Sequence, residues 1–202
     1  PLLDLTQDYT LEAWIFPESF SWLAGIISKY HTNAANGYIL RLTDQSPHTG
    51  LGFDELITST NILSANQWYH IALVRNSGST KLYVNGRQDG STFSDSLDYV
   101  QGSTVRIGKH NSSTSYDFKG YISDFRWIKG DSIYPFLPVA ETITTTTSYH
   151  NDITVAAGDV ELIMAHASGF TDGSDNGHTL TNNGAAIESS TIPAAGMKSI
   201  YF

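Results

Sequence analysis

An all-β fold built from antiparallel strands is what this sequence predicts, and three observations carry the prediction. In Trp68-Tyr69-His70-Ile71-Ala72-Leu73-Val74-Arg75, the residues Trp68, His70, Ala72 and Val74 share one face, and Tyr69, Ile71, Leu73 and Arg75 share the other. That two-residue period belongs to a strand in a sheet, since a helix repeats every ~3.6 residues. After a short polar gap, Lys81-Leu82-Tyr83-Val84 runs into Asn85-Gly86. This pair tolerates the positive φ angles of a tight hairpin, so the chain is expected to double back into Gln88 and Asp89. Third, no long helical pattern competes with the short runs of β-branched and aromatic residues.

Taken in order, strands are expected near residues 9–16, 24–30, 37–42, 50–53, 68–75, 80–85, 104–108, 120–128 and 159–165. Clusters of Gly, Asn, Ser or Asp separate them, which is the punctuation of turns. Trp14 and Trp68 fall in the most strongly patterned runs and are expected to be structural. The run Glu141-Thr142-Ile143-Thr144-Thr145-Thr146-Thr147-Ser148 follows Pro138, is low in complexity and is rich in β-branched residues. It reads as an extended connector or edge strand and marks the one plausible internal boundary.

The chain has 202 residues, enough for one large β domain or one domain with an appendage. Aromatics make up 12% and charged residues only 15%, a mix suited to short strands and many turns. The formal charge of −9, with no basic cluster, argues against nucleic acid or an anionic membrane as partner. Cysteine is absent, so packing and not disulfides must stabilise the fold. No apolar run reaches the ~20 residues needed to cross a bilayer, and a soluble unit without membrane insertion is expected.

Tyr9-Thr10-Leu11-Glu12-Ala13-Trp14-Ile15-Phe16, then Trp68 to Arg75, then Leu82-Tyr83-Val84-Asn85-Gly86, then Gly120-Tyr121-Ile122-Ser123-Asp124-Phe125-Arg126 resemble, in order and spacing, the laminin-G-like, concanavalin A-like jelly roll. The resemblance implies a two-sheet antiparallel β-sandwich. Phe125-Arg126-Trp127-Ile128-Lys129-Gly130-Asp131-Ser132-Ile133-Tyr134, closing in Pro135-Phe136-Leu137-Pro138, resembles a version common in bacteriophage and marine viral structural proteins. It implies a tail-fibre, spike or capsid-decoration module at a virion surface or in another extracellular setting. Other virion subunits or further copies of the chain would then be partners.

Past the Thr-rich run, Val160-Glu161-Leu162-Ile163-Met164, Gly177 to Gly184 and Lys198-Ser199-Ile200-Tyr201-Phe202 resemble the beginning of the same family, the part that normally precedes a Tyr-Thr-Leu-Glu-Ala-Trp strand. Residues 1–140 therefore read as the jelly-roll body, 141–158 as a Thr-rich connector and 159–202 as C-terminal strands. Those strands complete either the same sandwich, by circular permutation, or the sandwich of a neighbouring subunit. Permutation is the expectation, because it leaves no sheet edge bare and sandwich termini usually lie close together.

Members of this group both bind and cut glycans. The related glucanases carry a Glu-x-Asp-x-x-Glu pattern on one strand face, as a retaining pair about 5 Å apart requires, and the pattern is missing here. Asp54-Glu55 are neighbours that would point to opposite faces of a strand, and a solvated loop tip accounts for them. No His-x-His or His-x-x-x-His spacing supports zinc, His70 in mid-strand reads as a hydrogen-bonded core histidine, and no nucleophile elbow supports a triad. A non-catalytic module is expected, with a hydrolase or lyase, or a subunit assembling by strand exchange, as alternatives.

Asp172, Ser174 and Asn176, with Asp175 among them, alternate ahead of Gly177 like the first half of an oxygen-rich calcium loop. The twelfth position is Asn183 and not Glu, so an EF-hand is rejected. The resemblance implies one structural calcium, with Asp124 as a ligand from the final sheet strand, and no other cofactor. An Asx turn capping its own backbone is the competing reading. For cell-surface glycan, exposed aromatics and amides at loop tips are needed. Trp22, Tyr30, Tyr99, His110, Asn111, Tyr116 and Trp127 are candidates, with Tyr116 the best placed and Trp127 expected to cover the sheet end.

Overall fold

The computed structural model describes residues 3–29, 36–45, 48–100, 104–110, 114–130, 160–164, 170–174, 176–182, 186–193 and 198–202. In chain order the strands are β1 (Tyr9–Pro17), β2 (Gly25–Lys29), β3 (Tyr38–Gln45), β4 (His48–Phe53), β5 (Ile57–Thr58), β6 (Tyr69–Asn76) and β7 (Ser79–Val84). There follow β8 (Arg87–Gln88), β9 (Phe93–Ser94), β10 (Arg106–Ile107), β11 (Gly120–Lys129), β12 (Val160–Met164), β13 (Ile187–Ser189) and β14 (Ser199–Tyr201). Every strand predicted from the sequence is present, within a few residues at its ends. The short strands β5, β8, β9, β13 and β14 are additions.

These strands form two antiparallel sheets. The larger has the order β13-β14-β11-β1-β6-β7-β8, with β12 also on β11 and β9 also on β7, and the smaller runs β10-β2-β3-β4-β5. One apolar cluster lies between them. The larger sheet contributes Leu11, Ile15, Ile71, Leu73, Ile122, Phe125 and Trp127, and the smaller contributes Ile26, Tyr38, Leu40, Leu42, Leu51 and Phe53. Each such aliphatic side chain taken out of water stabilises the fold by about 1.5–3 kcal/mol.

Alternation sets which residues face inward. On β6 the face carrying Tyr69, Ile71 and Leu73 joins the core, leaving His70, Ala72 and Val74 on the outer face. That outer face is itself buried at its centre. His70 Nε2 lies 3.4 Å from the Glu12 carboxylate, and its ring meets Trp14 edge-on at 5.1 Å. Both His70 and Glu12 are at most 1% exposed, so the histidine is a satisfied interior residue, as the strand pattern suggested.

The Asn85-Gly86 corner forms as predicted, with φ of 48° and 78°, and returns the chain so that Val84 pairs with Arg87. The His70 amide donates to Asn85 Oδ1 at 2.9 Å, so the turn is also tied to the neighbouring strand. At the other end of the core, Lys29 donates to the Asp4 carboxylate, both almost fully buried. This buried pair fixes the segment before β1 against β2.

The C-terminal strands join the same larger sheet, but not beside β1. Both edges of β1 are occupied, by β6 and β11. β12 and β14 instead share the far edge of β11, with Phe125 opposite Met164 and Ile122 opposite Ile200. Beyond β14, the Phe202 amide donates to the Gly120 carbonyl at 2.9 Å. Among the described residues no helix is long and apolar enough to cross a membrane.

Candidate functional site

On β3 the residues Tyr38, Leu40 and Leu42 enter the core, which turns Ile39, Arg41 and Thr43 to the opposite face. Ile39 and Arg41 line a cleft of about 530 Å³. Its walls are the Asn36-Gly37 segment, the Asp54-Glu55-Leu56 turn after β4, His110, Leu23, and Leu97 with Tyr99. Leu56 is half-buried and Leu97 is 44% exposed, so apolar surface lies beside the polar groups.

Asp54 is locked into this wall by its backbone and its side chain together. Its φ of 45° turns the chain out of β4, its amide donates to the Ile39 carbonyl at 2.9 Å, and its Oδ1 accepts from the Ile39 amide at 3.1 Å. Burial pushes its carboxyl up to about 7, outweighing the Ile39 hydrogen bond and the Arg41 guanidinium, which act in the opposite direction. Glu55, exposed at the same turn, adds to the rise. The loop-tip reading therefore holds for Glu55, whereas Asp54 is half-buried because its carboxylate serves β3.

Arg41 crosses from β3 to this turn. Its Nη2 donates to the Asp54 carbonyl at 2.9 Å, while Nη1 is buried and has no hydrogen-bond partner among the described residues. The residue is 6% exposed, and none of the ion pairs among the described residues includes it. Burial lowers its pKa, against the pull of Asp54 and Glu55. A guanidinium keeps its charge through such shifts, so the cleft wall holds a largely buried cation.

His110 reaches the cleft because Gly25 lets its loop lie against β2. A Cβ at Gly25 would stand 2.6 Å from the Lys109 carbonyl oxygen and 2.8 Å from the His110 amide. Burial, and then the nearby Arg41 charge, hold the His110 imidazole below its ordinary pKa, so it is neutral at neutral pH. Its ring meets Tyr116 edge-on at 5.4 Å, and Lys109 is paired with Asp117 at 2.9 Å behind it.

Of the glycan candidates read from sequence, His110 lines the cleft and Tyr116 supports it. Trp22 is 48% exposed in the turn that precedes Leu23. Tyr30 and Asn111 lie outside the described residues. Tyr99 is 2% exposed and touches Tyr38 and Phe53 edge-on, and Trp127 is 1% exposed, so both belong to the core. Trp127 does not cover a sheet end, because its position on β11 faces the opposing sheet. Sequence reading missed Arg41; its one signal was a charged residue inside the apolar run Tyr38-Ile39-Leu40-Arg41-Leu42.

Of the calcium candidates, Asp172, Ser174 and Asn176 are joined in one turn. Asp172 Oδ1 accepts from the Ser174 amide at 2.8 Å, and its Oδ2 accepts from the His178 amide at 2.8 Å and the Ser174 hydroxyl at 2.9 Å. The Asn176 amide donates in turn to Ser174 Oγ at 3.3 Å. Asp124 is buried on β11, where Arg126 Nε donates to it at 3.1 Å. Asp175 is outside the described residues. Among those described, no three His, Cys, Asp or Glu side chains form a group fit to hold a metal ion. The bonds from the Ser174 and His178 amides to the Asp172 carboxylate are those of an Asx-type turn capping its own backbone.

Solved structures share this architecture at low sequence identity. A Bacteroides ovatus protein described as a candidate carbohydrate binding protein aligns with 100% of this chain at 19% identity and a TM-score of 0.57, and the chain spans 53% of it. The heptameric SAP-like pentraxin of Limulus polyphemus aligns over 65% of this chain and 69% of its own, at 20% identity and a TM-score of 0.52. Domain 4 of the GH43 extracellular arabinanase AbnA from Geobacillus stearothermophilus, solved with arabinotriose, aligns over 66% of each chain at 19% identity and a TM-score of 0.51. No curated protein sequence matches significantly. Residues 1–130 match the Concanavalin A-like lectin/glucanases superfamily, and the chain belongs to that superfamily.

Proposed function

We propose that the chain is a non-catalytic glycan-recognition module that binds its ligand in the Arg41 cleft. The observation that carries this reading is the cleft lined by the largely buried Arg41 together with His110 and the Asp54-Glu55 turn. Asp54 offers a carboxyl group beside Arg41, and Leu23, Leu56 and Leu97 offer apolar surface for the C–H face of a sugar ring. Polar groups at one end and apolar walls at the other suit an amphipathic saccharide.

The non-catalytic part is supported by the carboxylates. Asp54 and Glu55 come from one turn, whereas glycoside hydrolysis needs two carboxyl groups flanking the bond. Glu12 is 1% exposed and faces His70. Placement on a virion fibre, spike or decoration protein is supported by the Phe125 to Pro138 resemblance.

A glycan array probed with the whole chain tests the reading. Retention on at least one glycan class, reduced tenfold or more by Arg41→Ala in a folded variant, is expected from loss of a charged hydrogen bond of about 1.5–3 kcal/mol. Retention unchanged by that substitution places binding elsewhere, and release of shortened sugar by the wild type overturns the non-catalytic assignment.

A further inference from the structure

We propose that the Ser21–Ala24 turn is the sugar-stacking rim of the Arg41 cleft, with the Trp22 ring laid against the C–H face of a pyranose and Leu23 lining the wall next to it. This rests on the reading of the cleft as a glycan site and assigns the residues that choose the sugar. Backbone conformation singles out this turn. Eight described residues other than glycine have a positive φ, and three of them, Leu23, Asn36 and Asp54, line this one cleft. Asn and Asp tolerate that conformation, whereas the Cβ of a leucine crowds a carbonyl oxygen there. Leu23 nevertheless stands at a φ of 71°, as the third residue of a turn closed by the Ala24 amide on the Ser21 carbonyl at 3.1 Å. Glycine ordinarily fills such a position. Leu3, the other leucine in this state, is fully buried in the core, where packing accounts for it. Leu23 is half-buried and faces the cleft, and backbone strain of this kind gathers at ligand sites.

Exposure singles out the same turn. Trp22, its second residue, is 48% exposed, whereas Trp14 and Trp127 are buried and Trp68 is half-buried. A single exposed apolar side chain is ordinary, but this one adjoins a residue that lines a cleft. Leu97 is exposed in the same cleft and Leu56 half-buried, so the apolar wall is built by three separate segments of the chain. His110, Asp54 and Glu55 supply the polar part of the lining. A pyranose chair has the matching pair of surfaces, C–H bonds on one face and hydroxyls around its edge. The face suits an indole and leucines, and the edge suits the polar lining.

Calorimetric titration of the whole chain with glucose, galactose and mannose tetrasaccharides tests the assignment, with acrylamide quenching of tryptophan fluorescence read on the same samples. At least one tetrasaccharide is expected to bind and to lower the quenching, because Trp22 supplies most of the accessible indole. Trp22→Ala is expected to weaken that binding roughly tenfold or more, and Trp22→Phe, which keeps an aromatic face, about threefold or less. Leu23→Gly removes the wall and relieves the backbone together. Its melting temperature is expected to stay within about 3 °C of the wild type while binding falls roughly threefold or more. A Leu23→Gly variant that melts well below the wild type and binds normally makes the leucine a packing residue and overturns the rim. Trp22→Ala binding as tightly as the wild type, with quenching untouched by sugar, also overturns it, and the glycan site survives if Arg41→Ala still loses binding. No binding to any tetrasaccharide, or binding that none of the three positions alters, overturns both.

Discussion

Replacing Asp54 by Asn isolates the electrostatics of the cleft from its geometry. The amide keeps an oxygen for the Ile39 N–H, now accepted at 3.1 Å, and Asn tolerates a φ of 45°. Only the charge is lost. In the folded chain burial pushes the Asp54 carboxyl up to about 7 from an ordinary 3.8. Folding therefore tightens its proton binding, so the favourable contribution is complete below about pH 3.8 and disappears as pH rises through about 7. At ~1.4 kcal/mol per pH unit, the interval corresponds to at most ~4 kcal/mol. Asp54→Asn should match the wild type near pH 4 and exceed it by ~2–4 kcal/mol at pH 8. For a domain of this size that is a rise in melting temperature of about 4–16 °C. Urea denaturation of both proteins from pH 4 to pH 8 gives the difference directly, because their other titrating groups are the same. A difference that does not change with pH would refute the argument. So would a wild type more stable at pH 8, which would mean that attraction to Arg41 outweighs desolvation.

The buried Lys29 and Asp4 pair should behave as a unit: Asp4→Ala or Lys29→Met alone is expected to destabilise by about 3–5 kcal/mol, and Asp4→Leu with Lys29→Met by far less. A double-mutant cycle in urea measures the coupling, and single losses below ~1 kcal/mol would count against it. Gly25→Ala drives a methyl against the Lys109 carbonyl, a backbone atom that cannot rotate away. It should destabilise by about 1–3 kcal/mol and weaken sugar binding by displacing His110, and calorimetry showing neither effect would undo the assigned role of Gly25. Calcium separates the two readings of the Asp172 turn. A carboxylate that caps its own backbone predicts a melting temperature unchanged by calcium or chelator, whereas a bound ion would raise it.

The strand pattern made much of the scaffold legible. A period of two identifies Tyr69, Ile71 and Leu73 as one face without any knowledge of what lies opposite, and Asn85-Gly86 carries its own turn chemistry. The cleft was hidden for the complementary reason. Arg41, Asp54 and His110 are separated by 13 residues and then by 56, and only the pairing of β3 with β4, and of the His110 loop with β2, puts them together. Exposure was also illegible: Tyr99 and Trp127 look like binding aromatics in sequence, but their strand or loop positions face the opposing sheet and bury them.

Local chemistry in the sequence thus determined the all-β class, the strand positions and the Asn85-Gly86 hairpin, because period and turn propensity act over a few neighbouring residues. Tertiary structure alone decided where the tail strands pair. Both edges of β1 are already taken, and the tail strands pair instead with the far edge of β11. It also decided that the arginine of β3 would be buried outside any ion pair among the described residues, since burial and pairing depend on residues far apart in the chain.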